Sequence, residues 1–399
     1  MMKSPDTRTF AVMAKVVGGH CNLRCRYCYY VEKPALLRQT HRVMPDEILE
    51  AYVRQNLQAN GKDATVEFAW HGGEPTLAGI GFFRKALDLE KRYGEGRKIL
   101  NTLQTNATLL DDDWCAFFSE NGFLLGVSVD GPERLHDVYR VGPEGGSFRR
   151  AASGIGLLQK HGVEFNTLTT INAANSGYPD EVYGFLREYT DYMQFLPVVE
   201  TEGAFFEIDE GQLFGMPPGS HSSLFSRKLT DFSVSAEDFG KFLCRVFDLW
   251  KRQDLGKKHV QLFEATAGNI LGKPGGLCTH EPLCGHGASV ETDGDVYSCD
   301  HYAFRNYRLG NILETPLAEI MEKNRRFGMY KTHGLPKACF SCPYVKLCFG
   351  GCPKDRILPA GDGQKGKNAL CEGYKHFFAH FLANWELPKS PEGNARQQR

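Results

Sequence analysis

Eleven of the 13 cysteines fall into two ligand-like groups. Cys21, Cys25 and Cys28 form a C-x3-C-x2-C run inside CNLRCRYCYY. Cys278, Cys284, Cys299, Cys339, Cys342, Cys348, Cys352 and Cys371 occupy the C-terminal third. Three thiolates on one short loop can hold three irons of a [4Fe–4S] cluster and leave the fourth open, and eight more suffice for two fully ligated clusters. An open iron beside two closed clusters points to redox chemistry on a substrate. A zinc knuckle is the competing reading of the short loop. Structural zinc takes four closed ligands, no fourth Cys or His follows at close spacing, and adjacent His20 would have to fold back over the loop. Cys115 and Cys244 lie on apolar helix faces and read as buried structural residues.

The bulk composition sets bounds on this chemistry. The chain has 399 residues and 42% hydrophobic residues, enough for two or three domains with a sizeable core. A formal net charge of −1 gives no chain-wide attraction for nucleic acid or membrane. There is no apolar run long enough for a transmembrane helix, and the N-terminus has no signal-peptide core. A cytoplasmic chain is expected, in which clustered thiols ligate metal more readily than they pair.

The first two hundred residues alternate short apolar runs with amphipathic stretches. Strands are expected at 10–17, 65–70, 98–104, 124–129, 165–171 and 193–198, and helices at 46–60, 82–93, 111–120, 148–161 and 180–189. Such alternation reads as right-handed βαβ units with parallel strands, an α/β fold in which six units give a TIM-like barrel or an open, partial (β/α)6 TIM-like barrel. Functional residues then belong after the C-terminal ends of strands. The cysteine loop follows the first strand, Gly72-Gly73-Glu74 the second, and Ser128-Val129-Asp130 closes the fourth. Residues 200–231 look like a loop-rich excursion, 235–253 a strongly amphipathic helix, and 315–323 a further helix. From Cys278 onward Gly, Pro and Cys dominate, as where metal sites replace a large core. The resulting division is a barrel at 8–234, a helical connection at 235–274, a Cys-rich domain at 275–375, and a helix end with disordered tail at 376–399.

The three-Cys loop, with Tyr27 before its last cysteine, resembles the radical S-adenosylmethionine (SAM) superfamily. That resemblance implies a SAM-chelating cluster on Cys21, Cys25 and Cys28. It implies that Gly72, Gly73 and Glu74 meet the SAM amine, and that Ser128, Asp130, Arg140, Asn106 and Val199 line the rest of the pocket. The C-x5-C-x14-C and C-x2-C-x5-C-x3-C spacings with Cys371 resemble the SPASM domain. The implied sets interleave: Cys278, Cys284, Cys299 and Cys352 hold auxiliary cluster I, and Cys339, Cys342, Cys348 and Cys371 hold auxiliary cluster II. GDVYSCDHY, MQFLPVVE, GGCPKDR and LCEGYKHFF further resemble the anaerobic sulfatase-maturating enzymes, over about residues 10–380. One departure is His71, where some members carry glutamine.

The implied reaction is SAM-dependent radical oxidation of a Ser or Cys side chain to Cα-formylglycine. Asp300, directly after Cys299, is the implied general base, with a pKa expected to be raised by neighbouring thiolates, and Tyr30 is a candidate to position substrate. The implied cofactors are three [4Fe–4S] clusters and SAM. The implied partners are an unfolded sulfatase polypeptide and reduced flavodoxin or ferredoxin, with no nucleic acid and no membrane. A radical maturase that cross-links or epimerises a ribosomally made peptide is the alternative. The first strand begins near Phe10, which leaves no room for the leader-recognition domain such enzymes often carry. A simple electron carrier would not explain the open three-Cys site.

Overall fold

Strand β1, Ala11–Lys15, buries Val12 and Ala14, and strand β2, Val66–His71, buries Val66, Phe68 and Trp70 in strict alternation. A computed structural model describes residues 10–31, 33–201, 228–360 and 366–385. Five further strands follow in the same direction: β3 (Ile99–Thr105), β4 (Leu124–Ser128), β5 (Phe165–Ile171), β6 (Tyr192–Pro197) and the two-residue β7 (His259–Val260). The crossovers are helices α1 (Asp46–Ala59), α2 (Ile80–Tyr93), α3 (Asp112–Glu120), α4 (Phe148–Lys160), α5 (Pro179–Tyr189) and α6 (Ala236–Gln253). Asp111 caps α3 by accepting from Trp114 N at 2.9 Å, and Ser235 caps α6 by accepting from Asp238 N at 3.0 Å. The expected α/β class with parallel strands is what the chain adopts.

The C-terminal part adds more regular structure than its composition suggested. After helix α7 (Gln261–Ile270), strand β8 (Gly287–Val290) pairs in parallel with β1, Ala11 opposite Gly287 and Ala14 opposite Val290. Strands β9 (Asp295–Tyr297) and β10 (Arg308–Asn311) continue antiparallel. One ten-stranded sheet results, in the order β10-β9-β8-β1-β2-β3-β4-β5-β6-β7.

The helix expected at 315–323 runs as α8, Leu317–His333. Its buried positions are Leu317, Ile320, Met321, Asn324, Gly328 and Lys331. They keep helical spacing, but the last three are not hydrophobic, which hid the final turns from a hydrophobic count. Asn324 Nδ2 donates to Ser298 O at 3.2 Å and Lys331 Nζ to Cys278 O at 2.6 Å. A Cβ on Gly328 would lie 1.8 Å from Cys284 O, so the helix backbone rests directly on the cysteine segment. Helix α9, Cys371–Asn384, begins on a cysteine and packs along α6. Most of the 200–231 excursion and the tail from 386 lie outside the described residues.

Candidate redox site at the C-terminal ends of the strands

The Cys21–Cys28 loop leaves β1 and is laced to its neighbours through main chain. Gly73 N donates to Gly18 O at 2.8 Å and Glu74 N to His20 O at 2.9 Å. Arg24 N and Arg26 N donate to Val141 O and Tyr139 O at 2.7 and 2.9 Å. Gly72 has φ +148°, and a Cβ on Gly73 would sit 2.0 Å from His20 O, so side chains are excluded where the two loops meet. Leu23 N points at Cys21 Sγ from 3.3 Å and Asn106 Nδ2 from 3.7 Å. Burial pushes the Cys21 thiol up to about 11 and the Cys25 thiol up to about 12. Thiolates here therefore call for a cationic partner, which a soft iron centre would supply.

Glu74 is fully buried behind the glycine loop. Its side chain has no solvent-accessible surface. Oε1 accepts from Thr76 N (3.1 Å), Thr76 Oγ1 (2.7 Å) and Thr105 Oγ1 (2.9 Å), and Oε2 accepts from Asn106 N (2.7 Å). These four donors engage the buried carboxylate. It pins the glycine loop to the end of β3, and the half-buried backbones of Gly72 and Gly73 are the reachable groups.

Asp130 is likewise buried, being 1% exposed. Its carboxylate accepts from the Tyr27 hydroxyl and from Thr170 N (2.9 Å), and lies 3.0 Å from Arg140 Nε. Arg140 Nη2 donates to Thr170 Oγ1 at 3.0 Å, and the guanidinium stands over the Tyr27 ring. The positive charge of Arg140 also favours the Cys25 thiolate. Ser128 is buried at the end of β4, next to this cluster. Val199 packs in the core beyond β6, its carbonyl accepting from Lys354 Nζ at 3.1 Å, and Lys354 pairs with Glu200 at 3.5 Å.

Asp300 gathers residues that the sequence reading passed over. Oδ2 accepts from Tyr29 Oη (2.6 Å) and Lys15 Nζ (3.3 Å), and Oδ1 accepts from His301 N (2.9 Å). Tyr29 stacks on His301, ring centroids 4.4 Å apart. The expected raised pKa is reversed: burial pushes upward, but Lys15, His301 and Tyr29 outweigh it and hold the carboxyl well below its usual range. His71 sits opposite Lys15 in the β1–β2 register, and burial together with that lysine drives it down to about 3, so it is neutral.

Tyr30, expected near substrate, is 4% exposed and donates to Glu291 beneath the Lys15 ammonium. Its phenol is spent inside the wall, and Tyr29 is the tyrosine that reaches Asp300. Burial raises Glu291 to about 7 and lowers Lys33, whose Nζ donates to Ala303 O at 2.9 Å, to about 7.

The eight C-terminal cysteines separate into two groups in space. Burial raises the Cys299 thiol, with Asp300, Cys352 and Cys278 adding to it, and burial raises the Cys284 thiol, with Cys278 adding to it. Cys339, Cys342, Cys348 and Cys371 line one cavity with Tyr344 and Tyr374, and burial, with the other three cysteines adding to it, raises the Cys348 thiol to about 11. Four cysteines lining one cavity, with no disulfide among the described cysteines, fit a thiolate-held cluster.

Comparison with known proteins agrees with this architecture. Residues 16–186 match the model of the radical SAM superfamily, and residues 284–343 match that of the SPASM iron–sulfur cluster-binding domain. A serine-type anaerobic sulfatase-maturating enzyme of Bacteroides thetaiotaomicron is 42% identical over 97% of this chain and 92% of its own. A cysteine-type enzyme of Clostridium perfringens is 31% identical, covering 93% and 95% respectively. A solved structure of native anSMEcpe with bound AdoMet and the Cp18Cys peptide superposes with a TM-score of 0.78 at 30% identity, covering 94% of this chain and 96% of that one.

Proposed function

The chain belongs to the anaerobic sulfatase-maturating enzymes of the radical SAM superfamily, and from that membership we propose that it oxidises a serine of a sulfatase polypeptide with Asp300 as the base. Its reaction is the SAM-dependent oxidation of a Ser or Cys side chain to Cα-formylglycine, with SAM and iron–sulfur clusters as cofactors. The choice of serine follows the greater identity to the serine-type relative, 42% against 31%. One observation carries the role of Asp300: its carboxylate bridges the two cysteine groups. It follows Cys299 directly and accepts from Tyr29, which follows Cys28.

When bound, the clusters and SAM supply a hydrogen-abstracting radical and an acceptor for one electron. Gly72 and Gly73 offer backbone to the SAM amine. We assign Asn106, Ser128, Arg140 and the carbonyl side of Val199 to the remainder of that pocket, with Glu74, Asp130 and Tyr27 behind it. Lys15 and Tyr29 keep Asp300 ionised and aimed. A hydroxyl whose carbon has lost a hydrogen atom becomes strongly acidic as the electron departs, so a weak carboxylate base is sufficient. Residues 8–234 would carry the SAM chemistry, 235–274 the helical connection, 275–375 the auxiliary clusters, and 376–399 the helix end and tail.

An unfolded substrate and reduced flavodoxin or ferredoxin as donor complete the reading. We place the reaction in the cytoplasm, where thiols stay reduced. Among the described residues no helix is long and apolar enough to cross a membrane. The test is anaerobic incubation with SAM, dithionite and peptides bearing S-x-P-x-R or C-x-P-x-R. Mass spectrometry should show aldehyde from the serine peptide. A cross-link without aldehyde would favour a peptide maturase, and aldehyde from the cysteine peptide alone would overturn the serine assignment.

A further inference from the structure

The single turn Asp300–Tyr302 follows Cys299 directly, and Tyr302 N closes it by donating to Cys299 O at 3.0 Å. Tyr302 is 2% exposed and packs in a small aromatic cluster with Phe304 and Tyr307, against which Cys299 and Phe327 lie. Tyr307 and Phe327 meet its ring edge to face, with centroids 5.0 and 4.9 Å away. A ring held between two others keeps its hydroxyl inside. Yet Tyr302 Oη finds no hydrogen-bond partner among the described residues. A buried hydroxyl left unpaired costs about 1–3 kcal/mol, and phenylalanine would fill the same space without that cost.

The nearest cation does not answer it. Arg356 gives Nε to Gly350 O, Nη1 to Lys331 O and Nη2 to Phe349 O, at 3.2, 2.8 and 3.2 Å. The groups that bear on the hydroxyl are thiols. Burial raises it well above its ordinary value, with Cys352, Cys299, Tyr307 and Cys284 adding to that. Three of these belong to the set Cys278, Cys284, Cys299 and Cys352. Tyr307 also has a buried hydroxyl without a partner, but burial alone raises it and no cysteine takes part.

We propose that Tyr302 Oη donates a hydrogen bond to the cluster held by Cys278, Cys284, Cys299 and Cys352, and so raises that cluster's reduction potential. The proposal rests on the reading of those four cysteines as one ligand set. A hydrogen bond to a cluster sulfur strengthens as the cluster gains negative charge, so the donor favours the reduced form. The reaction has a use for this. Going from CH2–OH to CHO removes two electrons and two protons: a hydrogen atom goes to the SAM-derived radical, a proton to Asp300, and one electron to an auxiliary cluster. Tyr302 is then a positioning residue that touches neither substrate nor SAM.

The test is potentiometric titration of the paramagnetic signals of reconstituted full-length enzyme. The transition that Cys299→Ala/Cys352→Ala removes belongs to this cluster. In Tyr302→Phe it should move to more negative potential, the equilibrium constant for reduction falling about tenfold, or about 59 mV. Tyr302→3-fluorotyrosine, a stronger donor, should move it the other way. Tyr307→Phe removes a similarly buried hydroxyl from the same aromatic cluster and should leave it in place. Iron content should match wild type in all three. An unmoved transition in Tyr302→Phe, or equal shifts in Tyr302→Phe and Tyr307→Phe, would overturn the proposal and leave the phenol a packing group. If Tyr302→Phe loses that iron, the fluorotyrosine variant decides, and an unmoved or lowered potential there overturns the proposal. A Cys299→Ala/Cys352→Ala protein that keeps every transition would instead overturn the ligand reading beneath it.

Discussion

Lys15 Nζ and Asp300 Oδ2 meet at 3.3 Å across 285 residues of chain, the ammonium 2% and the carboxylate 13% exposed. Lys15 ends the first strand of the sheet, and Asp300 begins just beyond its C-terminal extension. Removing either partner strands a buried charge.

Lys15→Met should lower stability by about 3 kcal/mol and release Asp300 from its fixed position. Thermal unfolding of reconstituted protein reads the first effect, and aldehyde yield per SAM cleaved reads the second. Adding Asp300→Asn to Lys15→Met should cost less than the sum of the single changes, because the two residues form one unit.

Asp300→Asn alone should reduce aldehyde formation by about 10²–10⁴-fold, while 5′-deoxyadenosine continues to appear. Chromatography of both products from one anaerobic incubation checks this. Equal loss of both would move Asp300 from the proton-transfer step to SAM binding.

Glu74→Gln should weaken SAM binding without touching SAM directly. A carboxamide presents an NH2 where Thr76 or Asn106 already donates, at a cost of about 1–3 kcal/mol. Equilibrium binding of SAM to the loaded enzyme should worsen, whereas a Gly73→Ala change, which collides with His20 O, should abolish cluster loading as well.

Iron content tests the interleaved ligand sets. Loaded wild type should hold about 12 irons. A Cys299→Ala/Cys352→Ala pair should lose about four of them. A Cys348→Ala/Cys352→Ala pair, though closer in sequence, should lose about eight.

Glu90 gives a pH signature remote from the chemistry. Asn101 Nδ2 donates to its Oε2 at 2.9 Å, while Oε1 is buried without a partner, and burial raises the carboxyl from 4.5 to about 7. The folded state then keeps a proton that the unfolded chain releases, so stability falls as pH rises from about 4.5 to about 7. The loss is up to about 3 kcal/mol. Glu90→Gln should flatten that slope in unfolding curves taken across the interval.

The parallel strands and the cysteine groups were legible because each rests on local pattern: apolar alternation in Val66–His71, fixed spacing in Cys21–Cys28. Asp300 was legible from its place beside Cys299. Its partners were not, since Lys15 and Tyr29 reach it only through sheet register. Glu74 and Asp130 stood out in sequence, but the hydrogen bonds that hold them did not. Sequence marks an acid in a motif but says nothing of the donors that enclose it. Strand β9 has three residues and β8 has four, too short for periodicity, and both depend on pairing with a strand far away in sequence. The polar side of α8 was missed because its burial is against cysteine backbone, not hydrophobic side chains.

The register Ala11 to Gly287 has a practical corollary for anyone wishing to divide this polypeptide. Cutting before β8 would leave Ala11–Lys15 as a bare sheet margin, with a row of unsatisfied amides inviting intermolecular stacking. The two halves are therefore unsuited to separate expression, and a truncated barrel should aggregate even with its own cluster loop intact.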